Sequence, residues 1–142
     1  MMSEDPDCIF CKIIKGDIPS FKIYEDDKTY SFMDINPVGD GHCLVIPKHH
    51  STDLFHTPAE WLVATAETAQ KVAHSVQQTL KPHGLNLLQA NGPGAAQSVF
   101  HLHVHIVPRY EGDDLKMNWG IKSGDMGRIE EIASRIRDGI EA

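Results

Sequence analysis

The stretch HLHVHIVPR, residues 101–109, carries a histidine at every second position through residue 105. Successive side chains of an extended strand point to opposite faces, so His101, His103 and His105 share one face while Leu102, Val104 and Ile106 share the other. A half-buried antiparallel strand alternates polar and apolar residues in any case, and its polar face can simply be solvated. A solvated face mixes Thr, Lys, Glu and Ser, whereas here three of the chain's nine histidines crowd five residues. The segment reads as a strand with a chemical side and an apolar side.

Such a strand needs a core against which to bury its apolar side. At 142 residues, 41% of them hydrophobic, the chain is long enough for one domain, residues 1–142, with a real core. No apolar run approaches the ~20 residues of a membrane helix, and MMSEDPDC is acidic where a signal peptide is basic. A cytoplasmic protein with no membrane partner is expected. The net charge of −7 argues against binding a nucleic-acid polymer by general electrostatic attraction. PKHH at 47–50 and Arg109 still put protonatable groups near the ends of two expected strands, a bias that suits a small anionic ligand. Three cysteines do not make a disulfide scaffold. Cys43, in HCLVIP, is expected as a small buried apolar residue.

Residues 21–25, 29–34 and 42–47 read as a meander of antiparallel strands, the last entered through the loop NPVGDG. A long helix follows. Thr57 is placed as its N-cap, Pro58 as its first helical residue and Glu60 as the partner in a capping box. Leu62, Ala66, Ala69, Val72, Ala73, Val76 and Leu80 then recur at helical spacing until KPHG ends it. Residues 85–90 and 100–110 read as two further strands joined by the Gly-rich loop NGPGAAQS, whose small residues Gly92, Gly94, Ala95 and Ala96 leave backbone N–H groups open to a phosphate. A short amphipathic C-terminal helix carries Ile129, Ile132, Ala133, Ile136 and Ile140. The expected architecture is α+β: an antiparallel sheet of about five strands, one long helix and a short C-terminal helix.

The run His101-Leu102-His103-Val104-His105-Ile106-Val107 has the form His-φ-His-φ-His-φ-φ, with φ apolar. Together with CIFCKIIKGDIP, DINPVGDGHCLVIPKHH and NGPGAAQSVFHLHVHIVPR, in that order, it resembles the histidine triad (HIT) superfamily of nucleotide hydrolases and transferases. The likeness covers about residues 8–110, with 111–142 as an extension. It implies a HIT-like fold and cleavage of a purine nucleotide or nucleotide conjugate at its α-phosphate through a covalent nucleotidyl-histidine. His103 falls on the nucleophile. A neutral imidazole attacks well when its other nitrogen holds a proton against an acceptor. His105 matches the third triad residue, which contacts phosphate oxygens and helps the leaving group depart; protonated, it would stabilise developing charge or donate to a leaving amine. Gln97 and Ser98 match positions that hydrogen-bond phosphate or the bridging atom, and Asn91 one beside ribose and phosphate. Asp34 matches the ribose-binding acid, and Phe32 with Ile9 or Phe10 would flank the base. On residue type alone, Asp34 also reads as a turn-opening residue and Phe32 as core. His42 matches a recurrent histidine near the site, while His49, His56, His74 and His83 carry no assigned role.

Cys8-x-x-Cys11 reads as half of a zinc site, as a redox pair or as a disulfide. A redox C-x-x-C belongs beside a βαβ pattern, which is absent, so zinc is favoured. In zinc-containing members, and in related galactose-1-phosphate uridylyltransferases, the positions matching His50 and His101 complete the set. The resemblance thus implies a structural zinc (Zn2+) on Cys8, Cys11, His50 and His101, with no position open for an activated water. A rival reading puts a catalytic metal on His101, His103 and His105, but these positions span about 13 Å of strand, too far for one ion unless the strand bends. Dinucleoside polyphosphate hydrolysis and non-catalytic nucleotide binding are the alternatives to phosphoramidate cleavage. A homodimer is implied because relatives commonly pair into one continuous sheet. The chain lacks the Trp-Pro-Pro-Gly tail of the family's phosphoramidase branch; EGDDLKMNWGIKSGD leads instead into the last helix, where Trp119 is expected either to cap the pocket or to pack under that helix.

Overall fold

The computed structural model describes residues 2–116 and 120–141, so Trp119 lies outside the described residues. Five strands form one antiparallel sheet, β1 (Lys22–Glu25), β2 (Thr29–Met33), β3 (Cys43–Pro47), β4 (Gly84–Leu88) and β5 (Val104–Arg109), in the order β1-β2-β3-β5-β4. This is the expected five-stranded α+β architecture. β3 is buried at every residue because both sheet faces are covered there. Its alternation sends Cys43 and Val45 to a cluster with Ile106, and Leu44 and Ile46 to a cluster with Phe10, Ile13, Tyr30 and Phe32. Cys43 is indeed a small core residue. The β3–β5 register pairs Cys43 with Ile106 and Leu44 with His105, so the histidine face of β5 is the Leu44 face.

The opposite face is covered by the long helix α2 (Ala59–Leu80), which buries Trp61, Thr65, Thr68, Ala69 and Val72. This stripe is rotated from the expected one: Ala66 and Leu80 are exposed, and threonines take inward positions. Hydroxyl pairing explains the rotation. Thr29 of β2 meets Thr68 Oγ1 at 2.7 Å, and Thr65 Oγ1 donates to the Trp61 carbonyl at 2.7 Å. Paired hydroxyls can be buried at little cost, which an apolar count does not register. Thr57 is not the N-cap, since its hydroxyl donates to the Asp53 carbonyl at 2.6 Å, leaving it to accept from Ser51 Oγ at 2.8 Å. Pro58 occupies the cap position, and no side chain closes the first turn, so the expected capping box does not form. At the other end of α2, a Cβ on Gly41 would lie 2.5 Å from Leu80 Cδ1, and Gly41 has φ +88°; the turn into β3 requires glycine.

Strand ends shift by a residue or two from expectation, with one larger difference. Residues 100–103 lie outside the β5 ladder. The Leu102 N–H donates to the Ser51 carbonyl and the His101 ring to the Pro47 carbonyl, each at 2.8 Å, so the chain leaving β3 holds this segment by separate bonds. The helix α1 (Ile9–Lys15) has no counterpart in the sequence reading. At seven residues it is too short to form alone, and it forms by packing Phe10 and Ile13 on the Leu44 face. Cys8 caps it by accepting the Cys11 N–H at 3.4 Å, and Gly16 ends it at φ +85°. α3 (Met126–Glu141) is the expected C-terminal helix, with Ile129, Ile136 and Ile140 exposed. Among the described residues, no helix is long and apolar enough to cross a membrane.

Candidate active site

A cavity of about 340 Å³ opens on the sheet face opposite α2. Ile9 and Phe10 of α1, Phe32 of β2, Asp34 just after it, Ser98, His103 and His105 all line it. The fold thus brings together seven of the expected site residues. Ile18, Asn36, Leu44 and Val99 line it as well, and their only sequence signal is apolar or turn character.

Asn91 and Gln97 do not line it. Asn91 Oδ1 accepts the Leu54 N–H and its amide donates to Gln89 Oε1, each at 2.8 Å. Gln97 is buried; Oε1 accepts the Gly92 N–H at 2.7 Å and Nε2 donates to the Thr52 and Val99 carbonyls at 2.7 and 3.1 Å. Both side chains brace the Gly-rich loop. The Ala95, Ala96 and Gln97 amides bond to the Gly92 and Pro93 carbonyls, so these donors close the loop's own turn instead of facing a phosphate. Ser98 and Val99 are the loop residues that reach the cavity.

The cationic groups expected nearby are engaged elsewhere. Arg109 pairs with Asp113 at 2.8 Å and donates to Asn86 at 2.9 Å, Lys48 pairs with Glu25 at 2.8 Å, and His49 stacks on Trp61. Among the described residues that line the cavity there is no Lys or Arg. An anionic ligand there meets the His103 and His105 imidazoles and the Ser98 hydroxyl, with the Asp34 carboxylate alongside.

His103 Nδ1 lies 2.7 Å from the His101 carbonyl oxygen. A carbonyl only accepts, so Nδ1 carries the proton and Nε2 the lone pair. Burial pushes the His103 pKa below the ordinary imidazole value, so the ring is neutral at pH 7. Burial, with His103 and His42 beside it, pushes His105 down to about 4. The resting His105 ring is therefore neutral, with Nδ1 2.9 Å from His42 Nε2.

Across the 101–103 segment a second cluster forms. The ligand atoms of Cys8, Cys11, His50 and His101 all lie within 4.8 Å of one another. His101 Nδ1 is 3.4 Å from Cys8 Sγ, 3.7 Å from Cys11 Sγ and 3.1 Å from His50 Nδ1, and Cys11 Sγ is 3.5 Å from His50 Nδ1. A tetrahedral zinc would separate sulfur from nitrogen by about 3.5 Å and the two nitrogens by about 3.3 Å, so the donor set fits. His101 Nε2 donates to the Pro47 carbonyl, which turns the Nδ1 lone pair to the cluster. Burial holds His101 down at about 4, in the neutral form that ligates. The arrangement of one metal on His101, His103 and His105 does not form, because His101 has no nitrogen to share: Nδ1 faces the thiols and His50, and Nε2 donates to the Pro47 carbonyl.

A HIT domain is matched over residues 15–112. The chain is 37% identical over 142 residues to an adenosine 5′-monophosphoramidase of Candida albicans, spanning 96% of this chain and 93% of that one. It is 41% identical over 130 residues to an adenylylsulfatase of Arabidopsis thaliana, spanning 92% and 66%. The crystal structure of a HIT family member from Bacillus subtilis superposes with a TM-score of 0.88 at 41% identity over 93% of this chain and 96% of that one. A Zn-bound histidine triad family protein from Mycobacterium smegmatis superposes with a TM-score of 0.74 at 38% identity over 94% and 97%. A domain match across most of the sequence, with relatives of this identity along nearly all of it, establishes that the chain belongs to the HIT domain family.

Proposed function

We propose that this protein is a nucleotide hydrolase or transferase that splits the α-phosphate of a purine nucleoside phosphoramidate from its amine through a nucleotidyl-His103 intermediate. The observation that carries the reading is the 2.7 Å contact of His103 Nδ1 with the His101 carbonyl, which leaves an Nε2 lone pair at the cavity with no proton to remove first. Nε2 attacks phosphorus, the P–N bond breaks as the new N–P bond forms, and the departing amine takes a proton from solvent. Water then attacks the phosphorus and returns His103. Ser98 and His105 donate to phosphate oxygens, Asp34 accepts from the ribose hydroxyls, and Phe32, Phe10 and Ile9 flank the base. Gln97 and Asn91 act one step back, by holding the loop that presents Ser98.

Zinc is assigned to Cys8, Cys11, His50 and His101, supported by the distances among them and by the Zn-bound mycobacterial relative. With four protein ligands, the ion's contribution is structural. The ligands tie the start of α1 to the exit of β3 and to the segment that presents His103. Reduced thiols of this kind suit the cytoplasm. β4 stands at the sheet edge with Leu87 exposed, so two copies can continue the sheet as a homodimer.

The test is AMP release from adenosine 5′-phosphoramidate by purified protein, beside a His103→Ala variant. Release by the wild type alone supports nucleotidyl transfer through His103. Equal release by both overturns it.

A further inference from the structure

His42 is buried between the turn that follows β2 and the His105 ring. The Val38 backbone N–H lies 3.1 Å from His42 Nδ1. An amide N–H has no lone pair to offer, so His42 Nδ1 accepts, and the proton of the neutral ring sits on Nε2. That Nε2 is 2.9 Å from His105 Nδ1 and 3.4 Å from Asp34 Oδ2. His42 therefore donates to His105 Nδ1, with Asp34 as a longer second acceptor, and His105 carries its own proton on Nε2. We infer that His42 is a positioning residue for nucleotidyl transfer: anchored on the Val38 amide, it holds His105 as a neutral Nε2–H donor to the transferred phosphate.

The inference rests on the reading of the cavity as a nucleotidyl-transfer site, and it sharpens the role of His105. A neutral Nε2–H gives a hydrogen bond, but losing the proton would leave an imidazolate. His105 thus stabilises charge on the phosphoryl oxygens and is not the proton source for the leaving group. The same geometry answers a rival reading. Asp34, His42 and His105 approach within 4.8 Å, as cation ligands would. However, the Val38 amide places a proton on His42 Nε2, directed into the space where an ion would sit, so the cluster is held by hydrogen bonds.

Nitrogen-15 NMR of histidine-labelled wild-type protein at pH 7.5 reads each tautomer directly. His42 and His105 are both expected as Nε2–H; a His105 protonated on Nδ1 overturns the inference, whatever any variant does. His42→Ala is expected to release His105 into a mixture of tautomers. It should also lower kcat roughly 100-fold, the size of loss seen on removing one donor to a developing anion, with KM little changed. His42→Gln, which retains an N–H donor on a side chain of similar reach, is expected to restore most of kcat. Equal losses in both variants with an unchanged His105 tautomer reduce His42 to packing and overturn the inference. Failure of the underlying reading looks different: activity surviving His103→Ala removes nucleotidyl transfer while the wild-type tautomers stay as measured.

Discussion

At the scale of residues, backbone groups decide what three imidazoles can do. The Pro47 carbonyl turns His101 Nδ1 toward the thiols, the His101 carbonyl leaves His103 Nε2 its lone pair, and the Val38 amide acts on His105 through His42. Burial holds His103 below the ordinary value of 6.5, so the proposed nucleophile is neutral at physiological pH. We expect kcat/KM to stay level at neutral pH and to fall only as pH drops below 6.5, where His103 begins to protonate; an acid limb centred at or above pH 7 contradicts this. Ser98 is exposed on the loop at the cavity. Ser98→Ala is expected to lower kcat by about 10²-fold with the melting temperature unchanged, and a wild-type kcat removes the hydroxyl from the reaction. The family resemblance carried by the motifs nominated His103, His105, Asp34 and Phe32, and the fold brings all four to one cavity. It also nominated Asn91 and Gln97, whose side chains answer instead to a backbone amide at Leu54 and a carbonyl at Thr52 that no local pattern reveals.

At the scale of elements, the contact of α2 with the sheet shows why apolar periodicity misplaced a helix face. Thr29 Oγ1 donates to Asp26 Oδ1 at 3.1 Å, so the buried Thr68 hydroxyl donates to Thr29. Thr29→Val leaves Thr68 without that acceptor and is expected to cost about 1–3 kcal/mol in denaturant unfolding, whereas the Thr29→Val, Thr68→Val double variant recovers much of the loss. Purely additive costs would mean that the two hydroxyls act independently. The β5 boundary has a similar origin: alternation continues back through residue 101, but the ladder begins only where β3 and β4 run alongside. α1 escaped the sequence reading because its helical state comes from packing Phe10 and Ile13, not from its length or its start signal.

At the scale of the molecule, two loads are carried by histidine. The first is the Cys8, Cys11, His50 and His101 cluster, which joins the N-terminal segment to the chain leaving β3 and the chain entering β5. Metal analysis is expected to find one zinc per chain, and chelation to lower both melting temperature and activity; a chelated protein with unchanged melting temperature removes the metal from the fold. The second load is proton uptake. His105 stays neutral in the fold down to about pH 4, while its unfolded form binds a proton below 6.5. The unfolded state therefore takes up more protons between these values, so stability is full above pH 6.5 and falls progressively toward pH 4. Urea midpoints measured across that range check the sign. By itself the sequence determined the two-faced histidine strand and carried the motifs whose resemblance pointed to the family and nominated a nucleophile and four zinc ligands, because alternation, motif order and residue type are properties of the chain read in order. Only the tertiary structure decided which nitrogen of each histidine is available, which polar side chains turn inward and which face of α2 is buried. Those outcomes depend on hydrogen-bond partners far apart along the chain, which folding alone brings into contact.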